Sequence, residues 1–280
     1  MANLQSLKKR LKSIKSTQEM AEAMRTVSTV KLAKVSKAQN EFEDYSQACL
    51  EALEIIGDNG FPRNCSEISS RNCYVLLSSN RGFCGGFNNE LLRRFQKEIS
   101  EENETPLIIA FGRKASKFCT EKGIEAEFRE MNDVPAYEEA EALTKELLEM
   151  YLSGNVNTIF IVSQNYINMM SQKPAKWKIL PHAQLTGQMN ADVAPLYLPN
   201  RETVGNNPAL YSLVGRIYKI MLSHASALHA ATLVAMRNAC DNAEESSAKL
   251  ETMINRIRQA EVTNSVIETS SGMAMRYMEN

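Results

Sequence analysis

LQSLKKRLKSIKSTQEMAEAMRTVSTVKLAKV, residues Leu4–Val35, contains neither glycine nor proline. Leu4, Leu7, Leu11 and Ile14 recur at spacings of three and four, the seam of a heptad repeat. The apolar positions then move to Met20, Met24 and Val27, pass through Lys31 and resume at Leu32 and Val35, which reads as a shift of register on one continuous helix. The first breaker is Gly57, so the predicted helix runs to residue 56. At ~1.5 Å per residue such a helix would reach roughly 80 Å. Alone it would leave its apolar stripe in water, so it needs a partner helix.

The other end of the chain supplies one. All eight prolines lie between Pro62 and Pro208, and eleven of the twelve glycines lie between Gly57 and Gly215; only Gly272 falls outside. In the C-terminal arm Leu210, Val214, Ile217 and Met221 form one stripe, and Leu250, Met253, Ile257, Ala260 and Ile267 another. Between them Ala227, Ala231, Ala235, Ala239 and Ala243 recur every fourth residue, a ridge of methyl groups that lets another backbone approach closely. High helix propensity of alanine is the plainer reading of the same ridge.

The middle of the chain has a different grammar. Cys73–Ser79, Pro106–Gly112, Ile124–Phe128 and Asn157–Ser163 are short apolar runs bounded by turn residues, and Trp177–Leu180 is a further candidate strand. Helical stretches at Asn89–Ser100, Lys114–Lys122 and Glu138–Ser153 separate them, which predicts an α/β domain with a mostly parallel sheet. Residues 182–207 hold two prolines and little periodicity, and read as a returning connection. The expected division is a helix over 1–56, an α/β domain over 57–207 and a second helix over 208–280.

Formal net charge is −1 over 280 residues, so no global basic field calls for nucleic acid or an anionic membrane. The charge is uneven, however. Residues 1–40 carry a net +7 and residues 121–149 a net −7, which points to an acidic protein partner for the N-terminal arm. Nucleic acid is the less favoured partner, because the first aromatic residue is Phe42 and the bases share their helix with an apolar seam. No apolar run is long enough to span a membrane. The first 18 residues are basic and acid-free like a mitochondrial presequence, but the helical pattern runs on past them, so they read as mature structure. Six cysteines without a C-x-x-C pair read as reduced intracellular thiols.

The stretch SSNRGFCGGFNNE (Ser78–Glu90) follows the first strand and precedes a helix, where a phosphate loop would sit. It matches neither G-x-x-x-x-G-K-[ST] nor G-x-G-x-x-G, so a tight strand-to-helix turn is the better reading and nucleotide hydrolysis by this chain is not expected. His224 and His229 are five apart, on different helix faces, and with His182 they suggest packed or exposed side chains rather than a metal site. Ser223 and Ser226 beside His224 lie in a breaker-free helix with no nucleophile elbow. Cys84 reads as a small buried residue. No catalytic, cofactor-binding or metal-ligating residue is expected.

Five blocks nevertheless form a recognisable set: TQEMAEAMRTVSTVKLAKVSKAQ (Thr17–Gln39), SSNRGFCGGFN (Ser78–Asn88), YINMMSQKP (Tyr166–Pro174), HAATLVAMRNACDNA (His229–Ala243) and RQAEVTNSVIE (Arg258–Glu268). In this order and spacing, from near residue 4 to about residue 272, they resemble the gamma subunit of F-type ATP synthases of bacterial type. The resemblance implies that the two arms form a long antiparallel coiled-coil shaft. Alpha and beta subunits would surround it, with the Rossmann-like α/β domain at its foot near the epsilon subunit and the membrane c-ring. Ion flow would turn the ring and shaft, and the shaft would drive ATP synthesis or hydrolysis in the beta subunits. The chain itself would be non-catalytic, without cofactor, present once per complex and peripheral to the cytoplasmic face of the bacterial inner membrane.

The same resemblance implies the contacts. Lys8, Lys9, Lys12, Met24, Arg25 and Lys31 would face the acidic moving segment of a beta subunit, Arg258 and Gln259 would engage a beta loop as a catch, and Glu268 keeps a family position. Asn80, Arg81, Gly82, Cys84, Gly85 and Gly86 would lie on the epsilon or c-ring side. The apolar end at Met273, Ala274, Met275 and Met278 would turn in an apolar sleeve. Asn80 stands where the family usually has an acid, and Ser265 where it usually has a glutamate. The plastid-type insertion with its cysteine pair is absent, so no thiol regulation is expected. The alternative is an intracellular coiled-coil scaffold or a nucleic-acid-binding protein with an α/β domain.

Overall fold

A computed structural model describes residues 2–56, 61, 69–181 and 201–278, with side chains from Leu4 to Glu51, at Phe61, from Ser69 to Pro181 and from Ala209 to Ser270. The elements in order are α1 (Ala2–Ile56), β1 (Cys73–Leu77), α2 (Phe87–Ser100), β2 (Leu107–Phe111), α3 (Arg113–Lys122), β3 (Glu127–Arg129), α4 (Tyr137–Leu152), β4 (Ile159–Asn168), β5 (Ser171–Leu180) and α5 (Arg201–Met278). They form two compact units, one of Met1–Thr26 with Ala235–Asn280, the other of Val27–Val234.

In the first unit α1 and α5 run antiparallel. Lys15 bonds to Glu251 at 2.7 Å, while Cys240 lies against the Gln18 carbonyl and Glu22, so partner numbers fall as α1 numbers rise. Ala21, Met236 and Cys240 are buried together, with Met24, Ala235 and Ala239 packed around them. The small residues of the alanine ridge therefore do lie at a close helix contact. The α5 seam is Met236, Cys240, Ala243, Ser247, Leu250 and Ile254, alternating spacings of four and three. This corrects the sequence reading at one turn: Ile254 is 9% exposed whereas Met253 is 49% exposed. Ile267 is likewise exposed.

The expected register shift on α1 does not occur. Leu4, Leu7, Leu11 and Ile14 are followed on the inward face by Gln18 and Ala21, then in the second unit by Ser28, Val35, Phe42 and Ser46. Met20 and Val27 point outward at 57% and 50% exposure. The seam keeps its three-four spacing throughout, with the polar residues Gln18, Ser28 and Ser46 at inward positions that hydropathy does not mark.

In the second unit the two helices again pair antiparallel and pack on a sheet. Glu43 accepts from Lys219 at 3.0 Å, Ser226 donates to Gln39 at 3.2 Å, and the Phe42 and Tyr218 rings meet edge to face at 4.9 Å. A side chain at Gly215 would come within 3.3 Å of the Phe42 ring, so the glycine sets this approach. The sheet order is β3-β2-β1-β4-β5, with β1, β2, β3 and β4 parallel and β5 antiparallel to β4. Alternate residues divide between two cores. Val75, Leu77, Ile109, Ile159 and Ile161 pack against α4, α1 and α5, while Tyr74, Leu76, Ile108 and Val162 pack against α2 and α3.

Two expectations about the middle of the chain change. The strands expected over Asn157–Ser163 and Trp177–Leu180 extend into a hairpin, β4 reaching Asn168 and β5 starting at Ser171. The added length is mostly polar and holds Pro174, which is tolerated because β5 is an edge strand with no second neighbour to bond. Arg201–Asn207, expected as connection, is helical and belongs to α5. Residues 182–200, including His182, lie outside the described residues.

Candidate functional site

The C-terminal end of β1 leads into the glycine block, and the block is locked from within. Ser78 Oγ donates to the Phe111 carbonyl at 2.8 Å and accepts from the Ala115 N–H at 2.9 Å. Asn88, in the first turn of α2, donates to Ser79 Oγ at 2.8 Å and to Cys84 Sγ at 3.0 Å, and accepts from the Ser79 N–H at 3.3 Å. Ser79 Oγ donates to the Arg81 carbonyl at 2.6 Å. The strand-to-helix turn expected from the sequence is therefore held together by its own side chains. Its backbone reverses through positive φ at Phe83 (64°) and Gly85 (59°). Cys84 is turned inward against Phe87 and Ala227, and burial pushes its thiol up. Phe83, which the sequence reading did not single out, is the exposed tip. It is exposed although its backbone lies in the left-handed region that bulky residues rarely adopt.

The segment between β3 and α4 ties three elements together. Asn80 Nδ2 donates to the Met131 carbonyl at 2.5 Å, Lys31 of α1 pairs with the Asp133 carboxylate, and His229 Nε2 lies 2.7 Å from the Asp133 carbonyl. Asn80 suits this place because its amide can donate to a carbonyl, whereas an ionised acid could only accept. Lys31 is therefore paired inside the chain. Burial lowers the pKa of His229, with the Asp133 carbonyl opposing the shift, so its ring is neutral at pH 7.

His224 is fully buried beside Phe87, and burial brings its pKa down to about 3. Its Nδ1 accepts the Gln164 N–H at 3.2 Å, and Ser223 Oγ accepts the Tyr166 N–H at 3.0 Å. The reason is topological. The β1–β4 ladder ends at Leu76 and Val162 while β4 continues, so these N–H groups would lack acceptors without α5. His224 is a packed side chain, as expected, with a backbone-capping role that no local pattern announces. Among the described residues no group of three or more His, Cys, Asp or Glu is placed to hold a metal ion. Among them, too, no helix is long and apolar enough to cross a membrane.

The thiols follow burial. Cys73, Cys84 and Cys119 are buried, and burial raises Cys73 to about 12 and Cys119 to about 11. Cys49 is only half-buried. Under native conditions a maleimide is expected to label Cys49 well before Cys73, Cys84 or Cys119, read by peptide mass spectrometry. Equal rates at Cys49 and Cys73 would contradict this placement.

A family model described as ATP synthase matches residues 3–275. The chain is 32% identical over 208 residues to the ATP synthase gamma chain of Symbiobacterium thermophilum, covering 71% of this chain and 70% of that one. It is 27% identical over 246 residues to that of Staphylococcus carnosus, covering 83% and 85%. The chain belongs to the ATP synthase gamma chain family. The fold agrees with that of a chain in the Euglena gracilis mitochondrial ATP synthase OSCP/F1/c-ring assembly, with a TM-score of 0.71 and 16% identity over 98% of this chain and 94% of that chain.

Placed on this gamma-chain fold, the residues implied by the resemblance fall into separate groups. Lys8, Lys9 and Lys12 are exposed on α1. Met24 packs inward beside Ala21, and Arg25 bonds to Glu22 at 2.5 Å. On α5, Arg258, Gln259, Ser265 and Glu268 are exposed. Arg258 and Ser265 border one shallow groove with Val262 and Val266, an apolar surface left uncovered within the chain. Arg81, Gly85 and Gly86 are exposed in the glycine block, Asn80 and Gly82 half-buried. The side chains of Met273, Ala274, Met275 and Met278 lie outside the described residues.

Proposed function

We propose that this chain is the central rotor shaft of an F-type ATP synthase, coupling ion flow through the membrane c-ring to ATP synthesis or hydrolysis in the beta subunits. Membership of the gamma chain family over residues 3–275 carries this reading. The antiparallel pairing of α1 and α5, whose outer faces retain Met20, Val27, Val262 and Val266 in the open, supports it. The expected division is a helix over 1–56, an α/β domain over 57–207 and a helix over 208–280. The chain is non-catalytic, sits on the cytoplasmic face of the bacterial inner membrane through the complex, and is present once per complex.

A ring of three equivalent beta subunits needs something asymmetric inside it to make its sites differ. Two helices with different outer faces present each beta subunit with different contacts, and only a difference in contact energy between open and closed states shifts their populations. Lys8, Lys9, Lys12 and Arg25 supply positive charge for an acidic beta segment. Lys31 and Met24 hold α1 in place behind them. Arg258, Gln259 and Glu268 form the catch on α5. Asn80, Arg81, Gly82, Gly85 and Gly86 form the epsilon or c-ring contact, with Phe83 at its tip and Cys84 anchoring it from inside.

The test is a tagged pull-down from the native host at low salt. Alpha and beta subunits, with epsilon, are expected in the eluate; their repeated absence with an accessible tag would reject the shaft. Replacing Arg258 and Gln259 together with alanine is expected to lower coupled ATP synthesis several-fold while the complex still assembles. Unchanged coupling would remove the catch.

A further inference from the structure

One cavity in the second unit is unused by the shaft reading. It holds about 480 Å³ and lies between α1, the base of the β4–β5 hairpin and α5, with Tyr45, Leu50, Trp177, Tyr211 and Ile220 among its apolar walls. Tyr45, Leu50 and Tyr211 are exposed at its mouth, whereas Ile220 is buried. That size falls within the range of small-molecule sites, which combine apolar walls with a few polar anchors.

The anchor here is a cation. Two basic residues line the cavity, Arg216 and Lys219. Lys219 is already taken, with both Glu43 carboxylate oxygens within 3.0 Å. Arg216 is half-buried and makes no ion pair or hydrogen bond with any of the described residues. Burial lowers its pKa, and no carboxylate among the described residues pairs with it to offset that cost. A half-buried guanidinium without an anion leaves its donor fork unused in a partly apolar setting, which is costly unless a ligand fills it.

We propose that this cavity binds a small amphipathic carboxylate, with its head on Arg216 and its apolar body between Trp177 and Tyr211. The planar fork donates two parallel bonds to a carboxylate, and the apolar walls exclude a fully hydrated ion such as inorganic phosphate. A cationic amphiphile is repelled by Arg216, and Lys219 with its Glu43 partner does not offset this. An uncharged one gains only the apolar contact.

Trp177 is the single tryptophan of the chain, so its fluorescence reports on this cavity alone. The full chain is titrated with octanoate below its micelle concentration, and in parallel with octanol and octylammonium, with calorimetry as a second readout. Octanoate is expected to saturate with an affinity about tenfold above octanol, the size of a charge-assisted hydrogen bond, and octylammonium not to saturate. Arg216→Gln is expected to bring octanoate down to the octanol level and leave octanol unchanged, with Arg216→Lys in between. Equal affinities for octanoate and octanol, an unaffected Arg216→Gln variant, or no saturable response by either method would overturn the proposal. If Arg216→Gln fails to fold by circular dichroism, the order of the three probes on the natural chain decides.

Discussion

Gly112→Ala is expected to destabilise the α/β unit by about 3 kcal/mol, among the largest effects of any single methyl added to this chain. Gly112 follows β2 with φ at +88° and ψ at 150°, a region closed to residues with a side chain. A Cβ there would stand 2.5 Å from the Ser78 carbonyl oxygen and 2.8 Å from Ser78 Oγ. Neither can retreat. Ser78 N–H and Oγ are both bonded to the Phe111 carbonyl, and Oγ also holds the Ala115 N–H at the start of α3. Gly112 N–H in turn bonds to the Arg129 carbonyl at 2.9 Å, so a shift here would disturb β1, β2 and β3 together. Gly123→Ala is the control. Gly123 closes α3 at φ +66° with nothing within 4 Å of an added Cβ, so only the backbone preference is lost, about 1 kcal/mol. Urea unfolding followed by circular dichroism reads both. Equal losses would show that the contact with Ser78 is not what requires glycine at 112.

The second large effect is on acid stability. His224 has a folded pKa of about 3 against an ordinary value near 6.5, because burial penalises its charged form. The unfolded chain therefore takes up a proton that the folded chain refuses. Stability from this group is complete above pH 6.5 and is lost as the pH falls from there toward 3. From pH 6.5 to pH 5 the loss is about 2 kcal/mol, at roughly 1.4 kcal/mol per pH unit. His229, also lowered by burial, adds in the same direction. His224→Asn keeps an acceptor for the Gln164 N–H and removes the titration. It is expected to be less stable at pH 7 and to show a shallower decline between pH 6.5 and 5. An unchanged slope would locate the acid sensitivity elsewhere.

These two positions differ in how far local sequence revealed them. Gly112 sits at the end of an apolar run, and a turn there is expected from PLIIAFG, but its intolerance comes from Ser78, just past the end of β1. His224 looks like any helical residue, and its role depends on where β1 stops relative to β4. The seam of α1 tells the same story. Gln18, Ser28 and Ser46 face inward and Met20 outward, which hydropathy alone reads backwards. Met253 and Ile254 are equally apolar neighbours, and only the opposing helix selects between them. The hairpin beyond Ser163 was hidden because most of its strand residues are polar and include Pro174, which only an edge position accepts.

What the sequence determined by itself was the kind and order of the elements: two breaker-poor arms around alternating strands and helices, and the five blocks that place the chain in its family. Those follow from periodicity and from the backbone limits of glycine and proline, which act within a few residues. Tertiary structure alone decided which face of each arm is buried, why Asn80 and Lys31 are tied to the segment before α4, and that Arg216 lines a cavity with no ion pair to any described residue. Each of these depends on groups brought together from distant parts of the chain, and burial and pairing are properties of the assembled neighbours rather than of any local pattern.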